Sequence, residues 1–297
     1  MGSVVIAALA KRVSSTSFSG TRRKLLVSDM TSVSIITPVY NGERYIENCL
    51  QTVIDQDCNC VEHIIVDGNS RDATSNIVQR YTNNYAHIKW LSEPDKGQSD
   101  AMNKGIRLAK GKILGILNVD DYYEAGVLNR IVEIFETRSE PSLVVGNCNV
   151  WDHAGRLKYV NKPANLGITD LLLGWSINPH PVNPSAYFYH RSLHDRVGWY
   201  DVDDHYAMDL AFLLKAVKVA TTAYHNEIWG NYREIDGTKT VTDKQRGMSS
   251  ERARRIRVEH RRQLSIRDQF QVLRLQALHA LTRLLKRSFR REKKRNG

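Results

Sequence analysis

The chain has 297 residues, 41% hydrophobic and 25% charged, enough for one large core or two small ones. No apolar run approaches the roughly 18–20 residues that cross a bilayer, and the four cysteines lack zinc-like partner spacing, so they read as reduced thiols rather than a disulfide framework or a structural metal site. The net charge of +11 is uneven: residues 251–297 hold 16 Lys/Arg against 4 Asp/Glu, residues 1–30 hold 5 against 1, and 31–250 keeps 22 against 27, a mildly acidic body that argues against nucleic-acid binding.

Residues 1–30, Ser- and Arg-rich and poor in acids, read as a transit-like peptide or an over-long start ahead of Met30, and disorder is expected there. From Ser32 strands and helices alternate. "VSIITPVY" (33–40) reads as a buried strand, and 43–56 as an amphipathic helix with Tyr45, Ile46, Cys49, Leu50 and Val53 at 3–4 spacing. "VEHIIVDGNS" (61–70) is a second strand ending in turn residues, followed by a helix over 73–81 and a short strand over 87–93. "SDAMNKGIRLAK" is a helix closed by Gly111 as its C-cap, and "KILGIL" is a fourth strand. A helix over 125–137, a strand over 143–147, a Trp- and Pro-punctuated stretch to about 200 and a helix over 206–220 follow. Near-continuous apolar strands alternating with helices imply an α/β fold with a mainly parallel, Rossmann-like sheet covered by helices.

In such sheets ligands gather at the carboxyl ends of the strands. Here those ends carry Thr37-Pro38, Asp67-Gly68, Glu93-Pro94-Asp95 and Asp120-Asp121. Two adjacent carboxylates resist burial unless a cation sits between them or they face water. After an apolar strand, such a pair suits Mg²⁺ or Mn²⁺, which takes one or two carboxylates and leaves positions for a diphosphate. Neither a P-loop nor a Gly-x-Gly-x-x-Gly turn follows the first strand.

"VSIITPVYNGERYIENCLQTVIDQ", "HIIVDGNSRDAT", "SEPDKGQSDAMNKGI" and "GILNVDDYYEAG" together resemble the successive signature segments of family 2 glycosyltransferases with the GT-A fold, most closely the bacterial capsule and exopolysaccharide branch. The resemblance runs from about 32 to 240. It implies a nucleotide-binding half (31–123) and an acceptor-binding half (124–245) of one domain, ahead of a basic helical tail (246–297). It implies a nucleotide pocket lined by Pro38, Val39, Tyr40 and Glu43, with Asp67 accepting from the base and Gly68, Asp95 and Gln98 beside it. Many relatives carry a second Asp where this chain has Gly68. Asp120 is implied at the ribose or donor sugar, and Asp121 on the metal. Inverting transfer needs a carboxylate base, and the resemblance places it at Asp209 in "YAMDL", with Asp203 and Asp204 as loop or N-cap competitors. Arg233 and Lys239 in "YREIDGTKT" are implied to close over the diphosphate.

Trp175, Trp199 and Trp229 are candidates for stacking on sugar faces as well as for the core, and His180 for the acceptor cleft or the metal. In the tail, Phe270, Leu273, Ala277, Leu281 and Leu284 recur at 3–4 spacing, widened by Leu278 and Leu285, against Arg274, Arg283, Lys286, Arg287, Arg290 and Arg291. That profile fits an in-plane helix on an anionic membrane, or a helix packed on the protein's own body or on a dimer partner. The reading is a metal-dependent inverting transferase using a nucleotide-diphosphate sugar and a glycan or lipid-linked acceptor, cytoplasmic at the inner membrane face. A catalytically silent nucleotide-sugar-binding or assembly protein and a sugar-1-phosphate nucleotidyltransferase are the alternatives. The sequence leaves the oligomeric state open.

Overall fold

The structure, a computed structural model, describes residues 32–203 and 206–295. The expectations for residues 1–30 and for Asp204 fall outside that range. In chain order the elements are β1 (Val33–Val39), α1 (Ile46–Ile54), β2 (Val61–Asp67), α2 (Thr74–Asn84), β3 (Ile88–Ser92), α3 (Gln98–Leu108), β4 (Ile113–Ile116), β5 (Tyr122–Tyr123), α4 (Val127–Glu136), β6 (Ser142–Trp151), β7 (Leu157–Asn161), α5 (Ile168–Leu173), β8 (Tyr187–His190), α6 (Leu193–Val197), α7 (Met208–Ala216), β9 (Thr221–Arg233), α8 (Lys239–Gln245), α9 (Met248–Arg262) and α10 (Ile266–Arg295).

One curled sheet runs β3-β2-β1-β4-β8-β6-β9-β5, with β7 on β6. The first four strands are parallel, and their registers pair Val39 with Asp67 and Asp67 with Ser92, which sets these carboxyl ends in one row. β8 enters antiparallel beside β4 and turns the second half of the sheet into a mixed one. β1 and β2 are buried at every residue because helices cover both faces, the reason their sequences read as unbroken apolar runs. On one face Met102 and Ile106 of α3 pack with Leu213 and Leu214 of α7; on the other Cys49 and Val53 of α1 pack with Ile131 and Phe135 of α4.

Gly111 does not cap α3, which ends at Leu108 with extended Ala109 as its C-cap. Its N–H instead donates to Ser34 Oγ at 2.8 Å, and a β-carbon there would lie 2.7 Å from the Ser34 backbone nitrogen, so the glycine is required by close approach to β1.

The tail joins the body. Ile256 of α9 and Val272 of α10 are part of the core, and Gln276 Nε2 donates to the carbonyls of Leu172 and Leu173 at 3.2 Å. The opposite side of α10 leaves Phe270 69% and Leu281 56% exposed, alongside Leu273, Leu278, Leu284 and Leu285. The reading of this helix as packed on the protein therefore holds for its inner side. Among the described residues no helix is long and apolar enough to cross a membrane.

Seven histidines (His63, His87, His180, His190, His194, His225 and His260) have their pKa lowered, each chiefly by burial, to about 3 for His63 and about 4 for His180. A depressed histidine is neutral in the fold and takes up a proton on unfolding, so its contribution is complete above about pH 6.5 and is lost as pH falls toward the folded value. Asp95, Asp120 and Asp121, raised by burial, act in the opposite sense. The histidines outnumber them, so the melting temperature is expected to fall between pH 7 and pH 4.5. A flat profile in scanning calorimetry over that range would contradict this balance.

Candidate functional site

The row of strand ends is closed by two interlaced loops. After β1 the chain turns at Asn41, whose φ is 52°. Its N–H donates to Ser70 Oγ, and its Oδ1 accepts from Arg71 N at 2.9 Å. Gly42 N donates to Thr74 Oγ1, and Glu43 Oε2 accepts from Ala73 N at 2.9 Å, so Glu43 anchors the start of α2. Pro38 and Val39 are buried, while Tyr40 lies exposed at the mouth of the row.

Asp67 is fully buried and its two oxygens are taken. Oδ1 accepts from Ser70 N and Ser70 Oγ; Oδ2 accepts from Ser92 Oγ at 2.7 Å and Ser75 Oγ at 3.1 Å. The carboxylate sets the shape of the loop, and a base reaches it only where one of those hydroxyls gives way. The space beside Asp67 at position 68 is taken by a carboxylate from the end of another strand. A β-carbon on Gly68 would lie 2.5 Å from Asp95 Oδ2, and Asp95 is itself held by Gly97 N at 2.7 Å. Burial raises the Asp95 carboxyl above the usual carboxylate range, with Lys104 opposing.

The Asp120-Asp121 turn follows β4, and β5 fastens it to β9 by pairing Tyr122 with Asn231. Asp121 is 2% exposed. Its Oδ2 accepts from Asn183 Nδ2 at 2.7 Å and Asn118 Nδ2 at 3.0 Å, and its Oδ1 from Arg233 N at 3.3 Å. Burial first and the neighbouring Asp120 second push its pKa well up despite these donors. Asp120 is also raised by burial, and Arg233 opposes that shift. The Arg233 guanidinium donates from Nε to the Asp120 carbonyl and lies 5.6 Å from the Tyr45 ring and 5.8 Å from the Tyr122 ring, so one cation is clamped beside two carboxylates. Gln98 extends the network by donating to Asn118 Oδ1 at 2.9 Å from the first turn of α3.

Asp209 opens α7, and its Oδ1 accepts from Tyr187 OH at 3.1 Å. The 183–187 segment thus grips both candidate carboxylates, Asp121 through Asn183 and Asp209 through Tyr187. Ser99 Oγ, at the start of α3, meets Met208 Sδ at 3.0 Å and ties α7 to the same edge. Asp203 sits on an exposed turn with its N–H on Asp201 Oδ1. Lys239 is the first residue of α8, and its side chain is outside the described residues.

Trp229 belongs to the core, packed over Gly146. Trp199 stacks on His194 at 5.6 Å, and the Arg107 guanidinium lies 5.4 Å from its ring. Trp175 is exposed beside His180. Sequence reasoning missed Asn118, Asn183 and Tyr187, the residues that orient the carboxylates; an uncharged amide or phenol, even one inside a motif as Asn118 is, carries no charge signal of such a role.

Among the described residues no three His, Cys, Asp or Glu side chains form a metal cage. Asp120 and Asp121 still suit a hard divalent cation. Asp121 is a buried carboxylate whose charge is only partly offset, and Mg²⁺ or Mn²⁺ characteristically takes one or two carboxylates and completes its octahedron with water and phosphate.

The family profile described as Glycosyl transferase family 2 matches residues 34–198. Two curated relatives from Bacillus subtilis (strain 168) are an uncharacterized glycosyltransferase, EpsJ, 28% identical over 63% of this chain, and a putative teichuronic acid biosynthesis glycosyltransferase, TuaG, 33% identical over 47%. The chain spans 56% of the length of each. Among solved structures it is similar to S. aureus TarS in complex with UDP-GlcNAc, with a TM-score of 0.59, 19% identity and coverage of 70% of this chain and 60% of that one. It is also similar to the mannosyltransferase PcManGT from Pyrobaculum calidifontis in complex with GDP-Man and Mn²⁺, with a TM-score of 0.52, 17% identity and coverage of 85% and 81%.

Proposed function

The chain belongs to glycosyl transferase family 2, and from that premise we propose that it is an inverting transferase of cell-envelope polysaccharide assembly that moves a sugar from a nucleotide-diphosphate donor to a hydroxyl of a glycan or lipid-linked acceptor. The observation that carries this reading is the pair of carboxylate sites held by one segment, Asp121 by Asn183 and Asp209 by Tyr187. The nucleotide lies along the strand-end row formed by Pro38, Val39, Tyr40, Asp67, Gly68, Asp95 and Gln98. A divalent cation, Mn²⁺ or Mg²⁺, held by Asp121 with Asp120, neutralises the diphosphate when bound.

The chain's own groups do the rest. Arg233, fixed between Tyr45 and Tyr122, holds a positive charge at the edge where the diphosphate leaves. Lys239, the first residue of α8, is the second cation of the proposal. Asp209, oriented through Oδ1 by the Tyr187 hydroxyl, takes the proton of the acceptor hydroxyl as that oxygen attacks the anomeric carbon. Attack from the Asp209 side on a donor held at Asp121 inverts the anomeric centre.

Thermal shift of the full chain with UDP-, GDP- and dTDP-sugars, with and without Mn²⁺, tests the reading. Stabilisation follows RT ln(1 + [L]/Kd), so one donor family is expected to stand apart and to depend on the metal. No response to any donor overturns the donor assignment, while binding without transfer or hydrolysis identifies a silent member of the fold.

The basic, apolar outer side of α10 supports peripheral attachment to an anionic membrane. Because Ile256 and Val272 are core residues, the test is substitution rather than truncation. Phe270→Asp with Leu281→Asp is expected to remove co-sedimentation with phosphatidylglycerol vesicles while leaving donor binding intact, and high salt to weaken it in the parent chain. Equal sedimentation of parent and variant would end this assignment.

A further inference from the structure

Around the stretch between α5 and Asn183 lie two unpartnered nitrogens that the reaction above does not use. Gly174 ends α5 with φ of 91°, and a β-carbon there would lie 3.6–3.7 Å from the guanidinium of Arg257, which reaches over from α9. Arg257 Nη1 is sealed from solvent with no hydrogen-bond partner among the described residues, and no carboxylate among them pairs with the guanidinium. His180 Nδ1, close by, is likewise sealed and without a partner. The charge on Arg257 helps depress His180, which marks the two as neighbours. Arg257 is only partly buried, but the sealed Nη1–H forgoes a bond that water would otherwise supply. An unmatched guanidinium N–H beside an imidazole nitrogen, which donates in its Nδ1–H tautomer, complements an oxyanion.

The surroundings are those of a sugar site. Trp175 is 40% exposed and Tyr159 38% exposed. Their rings meet at 71° with centroids 6.5 Å apart, and Trp175 stands at 84° to the His180 ring at 5.1 Å. Such a corner offers apolar faces at low entropic cost. It is also close to the chemistry. Tyr159 and Tyr232 flank Val150 of β6 in the sheet, and Arg233, next to Tyr232, donates its N–H to Asp121. His180 is three residues from Asn183, at most about 11 Å of chain, and Asn183 bonds Asp121.

We propose that this corner is an acceptor subsite for an acidic acceptor: a carboxylate or phosphate of the acceptor is received by Arg257 and His180 Nδ1–H, and its sugar ring lies against Trp175 and Tyr159. Trp175, following Gly174, turns aside to admit it. The proposal deepens the transferase reading and rests on it only for the word acceptor.

The test is equilibrium binding of the full chain to three probes: an unsulfated chondroitin hexasaccharide, neutral maltohexaose and a short-chain polyprenyl phosphate in micelles. One acidic probe is expected to bind and maltohexaose not; which one binds tells a glycan carboxylate from a lipid phosphate. Arg257→Gln and Trp175→Ala should each weaken it about tenfold or more, with UDP affinity and melting temperature unchanged. Trp175, being exposed, decides the matter if Arg257→Gln fails to fold. Absence of any preference for an acidic probe, or equal binding in the variants, overturns the proposal and leaves Arg257 as a support for the end of α5. Acidic-probe binding by a chain that binds no nucleotide sugar would instead preserve this site and overturn the transferase reading.

Discussion

Asp121→Ala is expected to abolish metal-dependent donor binding. Asp121 is buried among Asn118, Asn183 and the Arg233 backbone, and Asp120 is the carboxylate beside it. Without it, a divalent ion keeps a single carboxylate from the turn, and the several kcal/mol of charge stabilisation that such an ion gives a diphosphate is lost. The variant should fold, because the alanine deletes a carboxylate whose charge burial and Asp120 oppose, although two amide donors lose their acceptor. Calorimetric titration with UDP, with and without Mn²⁺, measures the effect. An unchanged Mn²⁺-dependent affinity would remove Asp121 from the metal.

Asp209→Asn should separate binding from turnover. Asparagine keeps the shape and still accepts from Tyr187 OH, but it cannot take a proton. Donor affinity should stay near that of the parent chain while turnover falls by roughly 10²–10⁴. Tyr187→Phe should give a smaller loss, since it frees the base without removing it. Full activity in Asp209→Asn would move the base to another carboxylate, and Asp203→Asn is then the variant to compare.

The parallel half of the sheet was legible because strands covered on both faces show as unbroken apolar runs, and the strand-end carboxylates because charge following such a run has to be explained. The mixed half was not. The expected strand over 143–147 continues to Trp151, since Asn147 and Asn149 look like turn residues yet lie buried in the ladder, with Asn149 Nδ2 donating to Asn231 Oδ1. β8 and β9 escaped notice for a related reason. β8 has four residues within a punctuated stretch, and the register of β9 against β6 shifts twice, so neither keeps a simple period. Gly111 was misread because a helix C-cap and a close backbone approach ask for the same residue. The tail's periodicity was plain, but an apolar residue such as Val272 does not announce whether it meets lipid or its own core.

The packing of Gly68 against Asp95 couples what can be placed at the two positions. The 2.5 Å gap to Asp95 Oδ2 admits no side chain at 68 while Asp95 stays where it is. A residue introduced at 68 therefore obliges the Asp95 carboxylate to rotate away, giving up its bond from Gly97 N. Asp95→Gly makes the same room without that rotation, so Gly68→Asp should be better accommodated in the double variant than alone. The two positions are expected to be epistatic, the effect of a residue at one depending on the residue at the other.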